Sequence, residues 1–297
     1  MKITEQANRY TEDIDLMPIQ QILQLMNMED YSAVTAVQRA LPTIEKVINF
    51  IVEHFPKGGR IFYIGAGSSG RVGAMDAAEC PPTFGVSPDR IITILAGGKD
   101  ILYSAQESVE DSSEDGGAEV KKYHPTSNDC FIGIAASGRT PFVLAALEEA
   151  KKENAFCVML SANPVELSKY PYIDIAIETI TGAEVLTGST RLKATTAFKL
   201  VLNMISTASM LKLGKTYGNR MCYIKPSNSK LANRVCVTLS HCCEITMEDA
   251  EKLLKEAENN MALALTMGLS GAPKDEAHAA LIKHDGRIRE AVKMLSE

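Results

Sequence analysis

Continuous apolar runs, rather than alternating ones, punctuate the middle of the chain: Ile61–Ile64, Ile91–Leu95, Cys130–Ala135, Phe156–Leu160 and Ile173–Ile177. A strand that is apolar on both faces is one covered on both faces, as in a parallel sheet. Helix-like segments lie between the runs, among them Arg71–Glu79, Asp100–Ser108 and Pro141–Asn154. This alternation predicts βαβ units and a doubly wound α/β fold, a three-layer αβα sandwich around a mainly parallel five-stranded sheet.

The flanks read differently. Residues 1–17 are polar and lack a clear period, but from Pro18 onward Ile19, Ile22, Leu23 and Met26 fall on one helical face. Asp30 or Ser32 is placed to cap a second helix carrying Val34, Val37, Leu41, Ile44, Val47, Ile48 and Ile51, with Lys57-Gly58-Gly59 as its end. Pro42 inside that pattern predicts a kink or a division into two helices. Beyond Glu178 comes a Gly/Ser/Thr-rich stretch, residues 181–190, then a long helix from about Arg191 to Leu213. Its apolar residues occur nearly all round, which predicts burial and requires partners for Lys199 and Asn203. Thr246-Met247-Glu248-Asp249 resembles a capping box, opening a helix with Ala250, Leu253, Leu254, Ala257 and Met261. A turn at Gly268–Ala272 and short helices near Asp275–Lys283 and Arg287–Leu295 complete a region without strand signal. The expected organisation is a domain over residues 1–240, N-terminal helices included, and a small helical domain over 241–297.

Composition narrows the function. A net charge of -6 argues against a nucleic-acid surface, which needs clustered Lys and Arg. No apolar run approaches a membrane span, and Met1-Lys2-Ile3-Thr4-Glu5 starts no signal peptide. Seven cysteines in no regular ladder suit free thiols in a reducing cytoplasm.

The first apolar run breaks into Gly65-Ala66-Gly67-Ser68-Ser69-Gly70 and resumes as a helix. Glycines let the backbone approach an anion, while free N–H groups and hydroxyls point at it. The spacing also matches a dinucleotide fingerprint, but the acid expected at the end of the next strand is missing: Asp89 precedes that strand and Leu95-Ala96-Gly97-Gly98 ends it. A plain structural turn is the other reading. The third run ends in the same manner, in Ala136-Ser137-Gly138-Arg139-Thr140-Pro141, with Thr140 as N-cap and Pro141 at the first helical position. Two such turns at the carboxyl ends of parallel strands converge where open α/β sheets bind ligands. Serines without a Gly-Lys-Ser/Thr element point to a phosphorylated small molecule rather than a nucleotide.

Among 37 acidic residues, Glu79 stands apart at the end of a small-residue helix, in Ala77-Ala78-Glu79-Cys80-Pro81-Pro82. The double proline predicts a stiff, extended exit that directs this carboxyl into a cleft. Glu107, Glu110, Asp111, Glu114 and Asp115 form an acidic run whose simplest reading is a solvated loop. His241-Cys242-Cys243 lacks the partners that a metal site needs, and no nucleophilic triad follows from spacing.

Gly65–Arg71, Ala78-Glu79-Cys80-Pro81-Pro82-Thr83-Phe84-Gly85, Ala136–Pro141 and Glu184-Val185-Leu186-Thr187-Gly188-Ser189-Thr190-Arg191-Leu192-Lys193-Ala194 together resemble the N-acetylmuramic acid 6-phosphate etherases. That family belongs to the sugar isomerase (SIS) group of phosphosugar-binding folds. The likeness runs from Asp13 to about Arg234. It implies cleavage of the D-lactyl ether of N-acetylmuramate 6-phosphate in amino-sugar recycling, without metal or cofactor, in a homodimer. It places the proton donor on Glu79 and the second catalytic glutamate on Glu110, or on Glu107 if the register slips by one helical turn. Substrate contacts are implied for Gly67, Ser68, Ser69, Ser137, Gly138, Arg139, Thr140, Thr187 and Ser189. The chain departs from the family pattern at Ser68, Arg9, Ala183 and Thr195, where Thr, Pro, Pro and Gly are usual. A non-catalytic regulator resembling glucokinase regulatory protein is the competing reading, followed by a SIS-type isomerase and, more distantly, a Rossmann dehydrogenase.

Overall fold

All five apolar runs lie in one sheet of parallel strands: β1 (Ile61–Gly65), β2 (Ile91–Leu95), β3 (Cys130–Ile134), β4 (Phe156–Ser161) and β5 (Ile175–Glu178). The computed structural model describes residues 2–103, 107–224 and 229–297. Strand order is β2-β1-β3-β4-β5, and Ile61 pairs with both Ile91 and Cys130 while Gly65 pairs with Leu95 and Ile134. β1 and β3 are buried along their whole length, as their unbroken apolar sequences require.

Successive side chains point to opposite faces of the sheet. Phe62, Ile64, Phe131, Cys157 and Met159 form one core with Val120 of α3 (Ser113–Lys121) and with Val143, Ala146, Leu147 and Ala150 of α4 (Pro141–Lys152). Glycine sets how closely these helices approach. A Cβ at Gly133 would meet Val143 Cγ1 at 2.6 Å, and one at Gly116 would meet the Phe142 carbonyl oxygen at 2.2 Å. On the Tyr63 face lie α2 (Gly67–Phe84) and α5 (Lys193–Lys212), tied through the buried Asp76. Tyr63 donates to Asp76 Oδ2 at 3.1 Å, and Lys199 Nζ reaches Asp76 Oδ1 at 3.1 Å. Lys199 thus has the partner its position demands, whereas Asn203 is exposed.

The amino end of the sheet is closed by Asp129, which is fully buried. Its carboxylate accepts from Arg60 N at 2.9 Å, Nε at 3.0 Å and Nη2 at 2.7 Å. Thr126 adds its N–H at 2.8 Å and its hydroxyl at 3.1 Å.

Several expectations are corrected. Residues 19–54 form one 36-residue helix, α1 (Ile19–His54), through Pro42, so the division into two helices does not occur. Pro42 is exposed, and so is Gln38, whose carbonyl the proline leaves without a helical partner, which puts that group on the solvent side of the helix. Ser32 is inside this helix rather than at a cap, and its hydroxyl donates to Thr181 O at 3.1 Å. The segment 100–108 is no α-helix: 3-10 turns span Lys99–Leu102 and Glu107–Asp111, with residues 104–106 outside the described residues. The helix of this crossover is α3, because Ser112 accepts from Asp115 N–H at 3.2 Å and Glu114 and Asp115 fall in the first turn, favourable to the helix dipole. The acidic run is therefore partly a helix start. Pro81 and Pro82 do not force an extended exit. They lie within the last turn of α2, where Gly85 N–H still bonds to Pro81 O at 2.9 Å and Gly85, with φ of 65°, ends the helix.

The chain divides into two compact units, residues 1–78 with 88–206, and residues 79–87 with 207–297. The second unit contains a short antiparallel pair unforeseen in the sequence, β6 (Thr216–Tyr217) and β7 (Arg220–Met221). Helices α6 (Ser229–Cys243), α7 (Met247–Glu256), α8 (Met261–Ser270), α9 (Lys274–Lys283) and α10 (Ile288–Ser296) follow. Thr246 caps α7 as expected, accepting from Asp249 N–H at 3.1 Å. The helix stops before Met261, however, because Glu258 and Asn259 turn to positive φ and Asn260 caps α8. Buried from Met261 through Met267, α8 is the axis on which Val235, Leu254, Leu281 and Ile288 pack.

Candidate functional site

In the order β2-β1-β3-β4-β5 the chain winds outward in opposite directions from β1 and β3, and open α/β sheets bind ligands at the strands' carboxyl ends at such a switch point. Both Gly/Ser turns lie there, because β1 and β3 are hydrogen-bonded neighbours that end at the paired residues Gly65 and Ile134.

Beyond β1 the chain turns at Gly67, with φ of 52°, into the first turn of α2, where Ser68 and Ser69 are half-buried. The turn is tight. A Cβ on Gly65 would lie 2.6 Å from Gly70 N, so backbone contact demands glycine. First-turn N–H groups have no partner within a helix and carry its positive dipole end. Beyond β3, Gly138 takes φ of 67° and the Arg139 N–H donates to Ser137 Oγ at 3.3 Å. Thr140 occupies the N-cap of α4 with Pro141 following, but its side chain makes no capping bond. Ser137 and Thr140 are half-buried and the Arg139 side chain is exposed.

The third polar stretch precedes α5. Thr187 is exposed and Ser189 half-buried, on either side of Gly188 at φ of 77°. Glu184, fully buried, accepts from Lys193 N–H and Ala194 N–H, each at 3.0 Å, and so closes the start of α5. Burial pushes its carboxyl up from the ordinary value, against the pull of those two N–H bonds. The buried Lys193 ammonium pairs with Glu29 of α1. Glu184 and Lys193 therefore hold this loop on the first unit. In the sequence both appear only within a motif, and Glu184, nine residues ahead of α5, carries no local signal of its own.

Glu110 is exposed on the 3-10 turn that precedes α3. Its neighbour Val109 packs against Gly97, where a Cβ would meet Val109 Cγ1 at 3.2 Å. Since Gly97 follows the end of β2, Glu110 belongs to the same edge of the sheet as the two turns. Arg71, on the second turn of α2, fastens the other 3-10 turn, Lys99–Leu102, by donating to Ile101 O at 2.8 Å and Leu102 O at 3.1 Å. Glu79 is exposed near the far end of α2 and belongs to the second compact unit. The structure thus gathers Gly67, Ser68, Ser69, Ser137, Gly138, Arg139, Thr140 and Glu110 along one edge of the first unit. The sequence reading missed Asn163, fully buried, whose side chain donates to Ala136 O at 2.8 Å and steadies the Ser137 turn.

His241, part of the segment read as no metal site, lies beside the Arg220 guanidinium at 3.4 Å, a cationic neighbour. Among the described residues no helix is long and apolar enough to cross a membrane.

Residues 43–151 match the model of the glucokinase regulatory protein N-terminal SIS domain. An N-acetylmuramic acid 6-phosphate etherase of Actinobacillus succinogenes is 44% identical over 98% of this chain and 95% of its own length. The protein of the same name from Clostridioides difficile is 43% identical over 99% of this chain and 97% of its own. Among solved structures, a phosphoheptose isomerase from Francisella tularensis is 18% identical, with a TM-score of 0.45 over 64% of this chain and 98% of that one.

Proposed function

Since the chain belongs to the N-acetylmuramic acid 6-phosphate etherase family, we propose that it is a carbon–oxygen lyase that cleaves the D-lactyl ether of N-acetylmuramate 6-phosphate. The products are N-acetylglucosamine 6-phosphate and D-lactate. The observation that carries this reading is the pair of Gly/Ser turns on the adjacent strands β1 and β3. Backbone N–H groups and the hydroxyls of Ser68, Ser69 and Ser137 form an anion cradle suited to the phosphate, without a nucleotide-type lysine. Gly67 and Gly138 supply the backbone turns, Arg139 and Thr140 the second rim, and Thr187 and Ser189 the contacts to the sugar.

The chemistry calls for two carboxyl groups with opposite protonation. With the sugar ring open, C1 is an aldehyde and the hydrogen on C2 is acidic. Glu110, ionised, removes that proton; the electron pair forms the C2–C3 double bond and the C3–O bond to lactate breaks. Glu79, protonated, delivers a proton to the leaving oxygen. Water then adds across the double bond, hydroxyl to C3 and proton to C2, which restores the sugar. Catalysis belongs to residues 1–240.

Two further properties accompany this reading. α1 bears an exposed apolar row of Ile19, Leu23, Val34 and Leu41, 76%, 61%, 57% and 43% exposed. These residues fall within about 60° on the helix, which suits self-association as a homodimer. All seven cysteines are free, which suits a cytoplasmic setting.

The test is direct. Purified protein is incubated with N-acetylmuramate 6-phosphate and D-lactate is assayed, with fructose 6-phosphate as a binding control. Lactate release that disappears in Glu79→Gln and Glu110→Gln supports the lyase. Tight fructose 6-phosphate binding without turnover refutes it in favour of a regulator.

A further inference from the structure

Polar residues of the extreme N-terminus are buried in the first unit although the segment has no apolar period. Thr4 is fully buried, and Asn8 and Thr11 are nearly so. Such burial requires hydrogen-bond partners, and these converge on the site.

Asn163, in the loop after β4, uses its whole amide. Its Oδ1 accepts from Ile3 N–H at 2.7 Å, and its Nδ2 donates to Thr4 Oγ1 at 2.9 Å and to Ala136 O at 2.8 Å. Its own N–H donates to Ser161 Oγ at 3.0 Å, and Ser161 Oγ donates to Ala136 O at 3.3 Å. One buried amide therefore joins the N-terminal segment to the carbonyl that begins the Ser137 turn. The following residues reach the other loop. Glu5 Oε2 lies 3.4 Å from where a Cβ on Gly188 would stand, and Asn8 Nδ2 approaches Ala183 O at 3.5 Å. Asn8 is itself fixed, its Oδ1 accepting from Tyr10 N–H at 3.0 Å and its carbonyl from Thr11 N–H at 2.9 Å. Ile3 and Glu5 also share with Arg139 and Asn163 the wall of a cleft of about 460 Å³.

We propose that residues 3–11 are a positioning strap for the phosphosugar site, holding the Ser137–Thr140 turn through Asn163 and the Ala183–Ser189 loop through Glu5 and Asn8. The two loops are far apart in sequence, and this segment is in contact with both. Thr4 and Asn163 are positioning residues: they order the loops before substrate arrives, which reduces the ordering cost of binding. The inference rests on the assignment of those loops to the phosphosugar.

Thr4 permits a clean test. Thr4→Val removes the hydroxyl that accepts from Asn163 at nearly constant shape, whereas Thr4→Ser keeps it. Lactate release gives KM and kcat, and calorimetry gives the Kd of N-acetylglucosamine 6-phosphate. In Thr4→Val both KM and Kd should rise, roughly three- to tenfold, as expected for one buried hydrogen bond. kcat should stay within about twofold, since the chemical groups are untouched. Thr4→Ser should bind as the wild type does. Equal behaviour of the two variants, an unchanged Kd in Thr4→Val, or a loss in kcat rather than KM overturns the strap. Failure of the wild-type protein to bind the phosphosugar overturns instead the site assignment on which the strap depends.

Discussion

The Arg60–Asp129 clasp provides a quantitative test of what holds the sheet together, separable from catalysis. Asp129 precedes β3 at the amino end of the sheet, opposite the edge that carries the Gly/Ser turns. Its carboxylate is wholly buried and accepts five hydrogen bonds from Arg60 and Thr126. Arg60 also donates to Tyr123 O at 3.0 Å and His124 O at 3.1 Å, and its guanidinium lies 4.9 Å from the centre of the Phe62 ring. In Asp129→Ala the guanidinium keeps its carbonyl partners but loses its counter-ion, and the N–H groups of Arg60 and Thr126 lose their acceptors. Breaking one side of such a pair costs about 3–5 kcal/mol. Asp129→Asn retains one accepting oxygen and the side-chain volume, and should cost about 1–3 kcal/mol. Urea unfolding followed by circular dichroism measures both, as a shift in midpoint multiplied by the slope. The KM and kcat of the folded protein should be unchanged. A loss below about 1 kcal/mol for Asp129→Ala, or a defect in turnover at undiminished stability, would refute the argument.

Other consequences are open to measurement. Gly65→Ala forces a Cβ to within 2.6 Å of Gly70 N and displaces the turn that carries Ser68 and Ser69. Phosphosugar Kd by calorimetry should rise more than tenfold, roughly 1.4 kcal/mol or more, and stability to urea should fall with it, because the atoms in the way are backbone and cannot swing aside. Glu79→Gln and Glu110→Gln should each lower kcat for lactate release at least 100-fold, as for loss of an acid or base, on the order of 3 kcal/mol; Glu107→Gln should retain activity, and the reverse ranking would move the base to Glu107. Burial pushes the Cys157 thiol from 9.0 up to about 12. With the folded value raised above the unfolded one, its contribution to stability is complete below pH 9 and declines as pH rises from 9 towards 12. Alkaline unfolding curves of wild type and Cys157→Ala should therefore converge as pH rises through that window, and a constant difference would contradict it.

Much of the fold could be read from local pattern. A strand buried on both faces has to be apolar throughout, so the five runs announced a parallel sheet without any knowledge of its order. The Gly/Ser turns were equally legible, since close backbone approach at Gly65 and positive φ at Gly67 and Gly138 admit little but glycine. Local rules failed where tertiary packing or solvent supplied what the rule supposed missing. Pro42 does not interrupt α1 because the Gln38 carbonyl it leaves without a partner is on the solvent side, and Pro81 and Pro82 complete the last turn of α2 instead of ending it. The acidic run disguised the start of α3, since the same carboxylates that suit a solvated loop also suit a helix N-terminus.

By itself, then, the sequence determined the class of fold and the form of the two Gly/Ser turns, because each depends on the conformational demands of neighbouring residues, whereas Glu110 stood out from its acidic run only through the family resemblance. Only the tertiary structure decided that β1 and β3 are adjacent, so that their turns share one edge of the sheet. It alone brought Thr4 to Asn163 and Glu5 to Gly188. Those contacts join residues more than 150 positions apart, and no periodicity encodes a partner at that distance. They arise because buried polar groups must find hydrogen bonds wherever the folded chain presents them.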